Sequence, residues 1–392
     1  MQISKKIAII ELQAHAEVFF HFAKLLNGTV DLLLLTTADI YQDAPLELTK
    51  NTQNQWMIIQ EKQSDTAFLC DNLAALNTCQ STLFVTIVRD FRFYANLKLD
   101  AKKILIIHNS LAMLQPIQAI HITFSWSIDF LLDLLRVLKC FLLLEFWYKK
   151  KLVKHSDLLV FPTAIIEKYV KSRIGYLRKL KTASVEFSFY EPNLTKQAIK
   201  SIEEIIITIP GTISNEGRDY EMVIKALKKV IPILEMPIQV ILAGRPKGDN
   251  GQEIIEKVET LQTDFFLTLV FKNSIPQREY EAILAKTDFL VLPLKKQVKY
   301  GIYQEINGLS KITGSINDQI RYGLPALISS DYPLPIELEN VSQRFKNADD
   351  LSTILENWIK NRPFDRLEKE RQVLQKKYAK AEVKNALLAI LK

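Results

Sequence analysis

Two doubly wound α/β layers in tandem, facing one another across a cleft, are the architecture expected of this 392-residue chain. Short runs of Ile, Leu and Val alternate with helix-like segments, the pattern of a parallel sheet covered on both faces. The same alternation begins again after a polar stretch at residues 191–196. Composition agrees, since 48% of residues are hydrophobic and 24% charged. That is an ordinary globular share, which excludes a disordered tail or a coiled coil. The length suffices for about two or three domains of roughly 100–200 residues each.

The first half opens with a strand at residues 7–12, a helix over 14–26 closed by Asn27-Gly28, and a second strand at 30–35. Strands at 56–59 and 83–88 follow, separated by a helix around 67–76, and strands at 104–107 and 158–161 complete the half. In the second half, strands are expected at 205–209, 240–243, 267–271, 289–292 and 326–329, with helices at 220–230, 252–261, 278–286 and 317–322. Gly323 stands where a helix ends with positive φ. Residues 364–391 are helix formers throughout and predict one long terminal helix. The expected division is a first domain at 1–195, a second at 196–363, and a terminal helix at 364–392 free to pack back on the first.

Three cysteines, Cys70, Cys79 and Cys140, form no Cys-x-x-Cys pair, which argues against a disulfide scaffold or a cysteine zinc site and suits a reducing compartment. No Asp-x-Asp follows a strand and the five histidines do not cluster at ligand spacing, so no metal is expected. The first apolar run is too short for a signal peptide, and the uncharged stretch at 104–128 carries His108, Gln115, Pro116 and His121, which make it a poor bilayer span. A cytoplasmic protein is expected. Glycine is scarce, eleven in all, about 3% against a usual ~7%. Nine of the eleven follow residue 210, while all five histidines precede it.

Ligands of open parallel sheets bind beyond the carboxyl ends of the strands. Residues 209–218, Ile-Pro-Gly-Thr-Ile-Ser-Asn-Glu-Gly-Arg, lead from a strand into a helix. Gly211 and Gly217 let the backbone approach a ligand, helix amides favour an anion, and Arg218 can pair with phosphate. A plain surface turn is the alternative. Residues 310–318, Ser-Lys-Ile-Thr-Gly-Ser-Ile-Asn-Asp, set Lys311, Gly314, Ser315, Asn317 and Asp318 at the start of a helix, the arrangement of a diphosphate cradle. Thr313 or Ser315 acting only as an N-cap is the alternative, and it leaves Lys311 beside Gly314 unexplained. Arg245 and Lys247 follow another strand and are further phosphate candidates. In the first half, His108 ends a strand. His15 lies in the turn after the first strand with Glu17 two residues on, placed to serve an acceptor hydroxyl as base or orienter.

Gly211 through Arg218, followed by residues 318–328, Asp-Gln-Ile-Arg-Tyr-Gly-Leu-Pro-Ala-Leu-Ile, resembles the C-terminal domain of GT-B glycosyltransferases of the family 4 type. The resemblance spans about residues 203–335, and the first half is similar in architecture only. It implies two Rossmann-like domains facing a cleft, a nucleotide-sugar donor, a polysaccharide or lipid-linked glycan acceptor, no metal, and no cofactor other than the donor. It implies that Gly211 and Arg218 hold the diphosphate, with Thr212 where the family has an Arg. Asp318 then matches the second Glu of a Glu-x7-Glu segment, which contacts the ribose, and His108 lies near the reacting sugar. The first Glu falls on Ser310 or, in another register, on Glu305 of Glu305-Ile-Asn-Gly308. A nucleotide-sugar epimerase on the same fold and a degenerate partner subunit are the competing expectations.

Residues 127–181 hold twelve Lys and Arg against five Asp and Glu, an excess of seven that equals the net charge of +7. A helix at 128–148 carries Asp129, Asp133 and Arg136 on one stripe and little other charge besides Lys139 and Glu145, and Lys149-Lys-Lys-Leu-Val-Lys154 follows. Such a segment suits an anionic membrane surface, at the inner face of the membrane for a cytoplasmic protein; packing on the sheet is the alternative. No nucleic-acid partner is expected, because there is no zinc finger or RNA-reading aromatic motif.

Overall fold

The computed structural model describes residues 6–124, 128–195 and 204–391. Seven strands, β1 (Lys6–Glu11), β2 (Asp31–Thr36), β3 (Asn54–Ile58), β4 (Ser81–Phe84), β5 (Lys102–Ile106), β6 (Leu158–Phe161) and β7 (Thr182–Ser184), form one parallel sheet in the order β3-β2-β1-β4-β5-β6-β7. The second half contributes β8 (Ile205–Pro210), β9 (Ile238–Ala243), β10 (Phe266–Val270), β11 (Phe289–Leu292), β12 (Gln297–Tyr300), β13 (Tyr303–Ile306), β14 (Ala326–Ser329) and β15 (Ser342–Phe345). Six of these make a parallel sheet ordered β10-β9-β8-β11-β14-β15, while β12 and β13 pair as a separate antiparallel hairpin.

Helices cover both faces of each sheet, so side chains on both sides of a strand lose contact with water. Leu32, Leu33, Leu34 and Leu35 of β2 are all fully buried, each contributing about 1.5–3 kcal/mol. The direction of winding reverses between β1 and β4 in one sheet and between β8 and β11 in the other. Each reversal opens a crevice beyond the carboxyl ends of its two strands.

Sequence and structure differ in several places. Strands β7 and β15 and a helix at Ala348–Asn361 were not expected, and the helix expected at 128–148 is two, Ile128–Leu142 and Glu145–Lys154, broken at Leu144. β4 stops at Phe84 rather than continuing to 88, because the Val85 carbonyl and Val88 amide turn to His108 and Gln13. The helix at 67–76 is two, Asp65–Asp71 and Leu73–Asn77, meeting at Asn72. The long terminal helix is also two, Glu368–Lys377 and Lys380–Leu391. Tyr378 breaks it by burying its ring in the second domain's core, whereas Val383, Leu387 and Leu391 join the core beneath β1 and β2. The hairpin β12–β13 was not expected; it leaves the second sheet and packs on helices Ser110–Leu114 and Pro116–Ala119 of the first half. The expected polar linker begins with a short helix, Pro192–Thr195; the 195/196 boundary falls at the edge of residues 196–203, which lie outside those described.

Candidate functional site

The second sheet supplies a cationic cradle. Gly211 follows β8 with φ +96, and its carbonyl presses so close to Gly244 that a Cβ there would stand 2.1 Å from the oxygen. The missing side chain of Gly211 lets the Arg218 guanidinium lie across it, where a Cβ would collide with a guanidinium nitrogen. One Arg218 NH2 group donates to Ser315 Oγ at 2.9 Å and the other to the Thr212 carbonyl at 3.3 Å. The Ser315 hydroxyl in turn donates a hydrogen bond to the Pro210 carbonyl at 3.1 Å. Arg218 Nε is buried and has no partner among the described residues.

Helix Gly314–Tyr322 begins beside that guanidinium. Thr313 occupies its N-cap in extended conformation but its side chain caps nothing, and Ser315 is engaged by Arg218, so the N-cap-only reading does not hold. Space in front of Gly314 is open. Asp318, one turn on, accepts from Tyr280 Oη at 2.7 Å, and burial pushes its carboxyl up to about 6. Asn317 leaves its Oδ1 without a partner among the described residues. Lys311 Nζ sits 5.4 Å over the Tyr300 ring. Burial lowers its pKa, with Glu305 pulling the other way and Arg218 and Lys247 adding to the fall. Arg245 and Lys247 flank this group on the loop after β9, which pairs with Ile213 through the backbone. Arg245 is exposed, and Lys247 pairs with Glu216 at 2.5 Å on the surface.

The first sheet supplies imidazoles. Glu11 ends β1 and accepts the Gln13 and Ala14 amides at 2.6 and 2.8 Å, shaping the turn that brings His15 to the start of helix Ala16–Leu26. His15 stacks on His108 with ring centroids 4.0 Å apart and planes 10° off parallel. His108 Nε2 lies 2.9 Å from the Val85 carbonyl, which can only accept, so Nε2 carries the proton and Nδ1 the lone pair. Burial holds its pKa well below the usual 6.5, and neighbouring His15 lowers it further. His15 Nδ1 lies 2.9 Å from Glu17 Oε1; a carboxylate there keeps the proton on Nδ1 and leaves Nε2 as the basic atom.

Beside the imidazole pair, closed on one side by the hairpin tyrosines, lies a cavity of about 120 Å³, lined among others by His15, Thr86, His108, Asn109, Lys149 and Tyr300. Thr86 Oγ1 and Asn109 Oδ1 are buried there with no partner among the described residues. Glu305 and Ser310, the two candidates for the first Glu, are spoken for. Glu305 Oε1 and Oε2 accept the Ala112 and Leu111 amides at 2.8 and 3.2 Å, and burial raises its pKa. Ser310 is fully buried, with its hydroxyl on Ile306 and its carbonyl on the Ser110 amide. Both therefore join the two domains. Sequence reasoning missed Thr86, Tyr280 and Tyr300. Thr86, just past an apolar strand, was the discoverable one; Tyr280 and Tyr300 carry no local pattern.

No protein-family model matches the sequence, and no curated protein matches it. Solved structures are similar over nearly the whole length. A sucrose-phosphate synthase from Thermosynechococcus elongatus superposes with a TM-score of 0.60 at 12% identity, over 98% of both chains. The chain has the GT-B fold. An α,α-trehalose-phosphate synthase (UDP-forming) from Burkholderia vietnamiensis gives 0.56 at 11% identity, over 100% of this chain and 98% of that one. The N-terminal domain of Candida albicans trehalose-6-phosphate phosphatase gives 0.56 at 9%, over 100% and 97%.

Proposed function

We propose that the chain is a metal-independent glycosyltransferase that takes its sugar from a nucleotide-diphosphate sugar and adds it to a hydroxyl of a polysaccharide or lipid-linked glycan. The observation that carries this reading is the facing pair of crevices: Arg218, Lys311 and an uncapped helix N-terminus on one side, stacked His15 and His108 on the other. In support, the two synthases named above, whose names describe sugar-phosphate products, share its fold. Three unpaired cysteines suit a reducing, cytoplasmic compartment.

In this reading the donor diphosphate lies over Gly211, against Arg218 and the amides of Gly314 and Ser315, with Asp318 on the ribose. The acceptor oxygen bonds to the anomeric carbon as the bond from that carbon to the phosphate oxygen breaks. The hydroxyl proton passes to His15 Nε2, Glu17 stabilises the resulting imidazolium, and the nucleoside diphosphate leaves with the electron pair. Fixed cations and helix dipole stabilise that leaving charge, a role that calls for no metal. No cofactor other than the donor takes part.

Thermal-shift measurements with UDP-, GDP- and dTDP-sugars test donor binding; ligand at a hundredfold excess over Kd stabilises by about 2.7 kcal/mol. No stabilisation by any of them overturns the reading. Release of nucleoside diphosphate on adding acceptor is expected to survive EDTA, and full loss restored by magnesium would overturn metal independence. The commitment of Glu305 to Leu111 and Ala112 favours one second reading, a partner subunit that binds the donor without turning it over. Donor binding without transfer in any condition would support it.

A further inference from the structure

Helix Ile128–Leu142 is folded inside out. Its buried residues are Asp133 and Cys140, whereas Leu134, Leu138 and Leu142 are 49%, 53% and 74% exposed. With Leu131, Leu135 and Phe141, also exposed, they fall within an arc of about 120° on the helix. The face continues past the turn at Leu144, which adopts φ +53, to exposed Trp147 on helix Glu145–Lys154. A monomer rarely leaves so continuous an apolar face to water.

The charge around this face selects its occupant. Asp133 turns inward to Arg136 at 2.8 Å and to Lys299 at 2.5 Å, and Glu145 pairs with Lys149 at 3.0 Å. Lys139, Lys150 and Lys154 are exposed, and Lys151 Nζ lies 5.3 Å over the Trp147 ring. The face is therefore apolar with a basic rim and an indole at its edge, the composition of a helix lying in the headgroup region of an anionic bilayer. A second copy is the weaker occupant, because a self-complementary contact sets each lysine rim near its twin. No helix among the described residues is long and apolar enough to cross a membrane.

We infer that the outward face of Ile128–Leu142, together with the lysines of Glu145–Lys154, seats this protein on an anionic lipid surface without spanning it. The inference stands independently of the glycosyltransferase reading. Helix Glu145–Lys154 also sends Glu145 and Lys149 to the wall of the cavity beside His108, so the docking surface and the cavity share one element.

Flotation of the full chain with phosphatidylglycerol-containing vesicles tests it. The protein is expected to rise with these vesicles, less so at high salt, and less with phosphatidylcholine alone. Replacing Leu134, Leu138 and Leu142 together by Ser is expected to abolish flotation with little change in unfolding midpoint, since each of these side chains is already about half or more exposed. Should that variant fold poorly, Lys150→Gln and Lys154→Gln provide a second route, each weakening partition about fivefold. Wild-type protein that stays in the soluble fraction overturns the inference. So does an oligomer that the Ser variant converts to monomers, which would assign the face to a second copy.

Discussion

Two helix N-termini open toward the same cleft from opposite domains, and the chain treats them differently. At Ser110–Leu114, Glu305 from the other domain reaches across and accepts the Leu111 and Ala112 amides. At Gly314–Tyr322 no side chain caps the end, open space lies before Gly314, and Arg218 stands alongside. Both ends carry the partial positive charge that attracts anions. The difference teaches that such an end is a binding site only where the protein has not already supplied the anion. Glu305 closes one anion position and in doing so staples the domains together; in the function proposed above, the remaining position is the one left for a phosphate.

The comparison can be broken from either side. The largest effect is expected on the imidazole side. His15→Ala should lower kcat by about 10²- to 10⁴-fold, as loss of a general base does, while donor-induced thermal shifts stay unchanged; parallel loss of both would move His15 to the donor half. Next comes the closed end. Glu305→Ala strips one buried and one partly buried amide of their acceptor, at about 1–3 kcal/mol each, so urea unfolding should show a loss of about 2–6 kcal/mol with donor affinity little altered. Glu305→Gln, which keeps an oxygen acceptor, should lose less. If donor affinity fell instead and stability held, Glu305 would belong to the donor site. At the open end, Arg218→Ala should weaken nucleotide-diphosphate binding about 10- to 100-fold in calorimetry, the scale of a lost charge-assisted hydrogen bond or two, with little change in unfolding midpoint.

Much of this contrast was legible in the sequence, though unevenly. β6, β11 and β14 lie where their apolar runs place them, because each run ends at a proline or a polar turn: Pro162, Pro293 and Ser330-Asp331. Gly211 and Arg218 follow β8 of the second sheet, whereas Lys311, Gly314 and Asp318 follow the separate hairpin, so the sequence joined them into one donor half only through the family resemblance. Residues 85–88 continue an apolar run and yet leave the sheet: an apolar side chain suits a cavity wall as well as a core, and only the pairing of Val85 with His108 tells them apart. The hairpin at 297–306 escaped for lack of bulk, being two four-residue strands with Gly301 at the turn. Glu305 could not be placed at all, because its partners lie 193 and 194 positions away on the other domain. The same holds for Ile128–Leu142. Its periodicity predicts an amphipathic helix, but the sign of the face turned to water depends on Lys299, which pins Asp133 from the second half.

The smallest expected effect is also the one with two opposite signs. In the folded chain burial pushes Asp318 up to about 6 from an ordinary 3.8. As pH rises between those values the unfolded chain gives up this proton first, so the group lowers native stability through that window and its cost is absent below it. Asp318→Asn removes the cost while leaving an oxygen for Tyr280, so the variant should unfold at a higher temperature than the wild type at neutral pH and lose that part of the pH slope. Donor binding should move the other way. A ribose hydroxyl donates more strongly to a carboxylate than to an amide or a protonated acid, so wild-type affinity should fall below about pH 6 and the variant should bind about three- to tenfold more weakly above it. An affinity flat across pH and equal in both proteins would mean that Asp318 serves Tyr280 alone. The donor half would then end at Arg218 and the open helix end, and the contrast between the two N-termini would carry the site without a carboxylate.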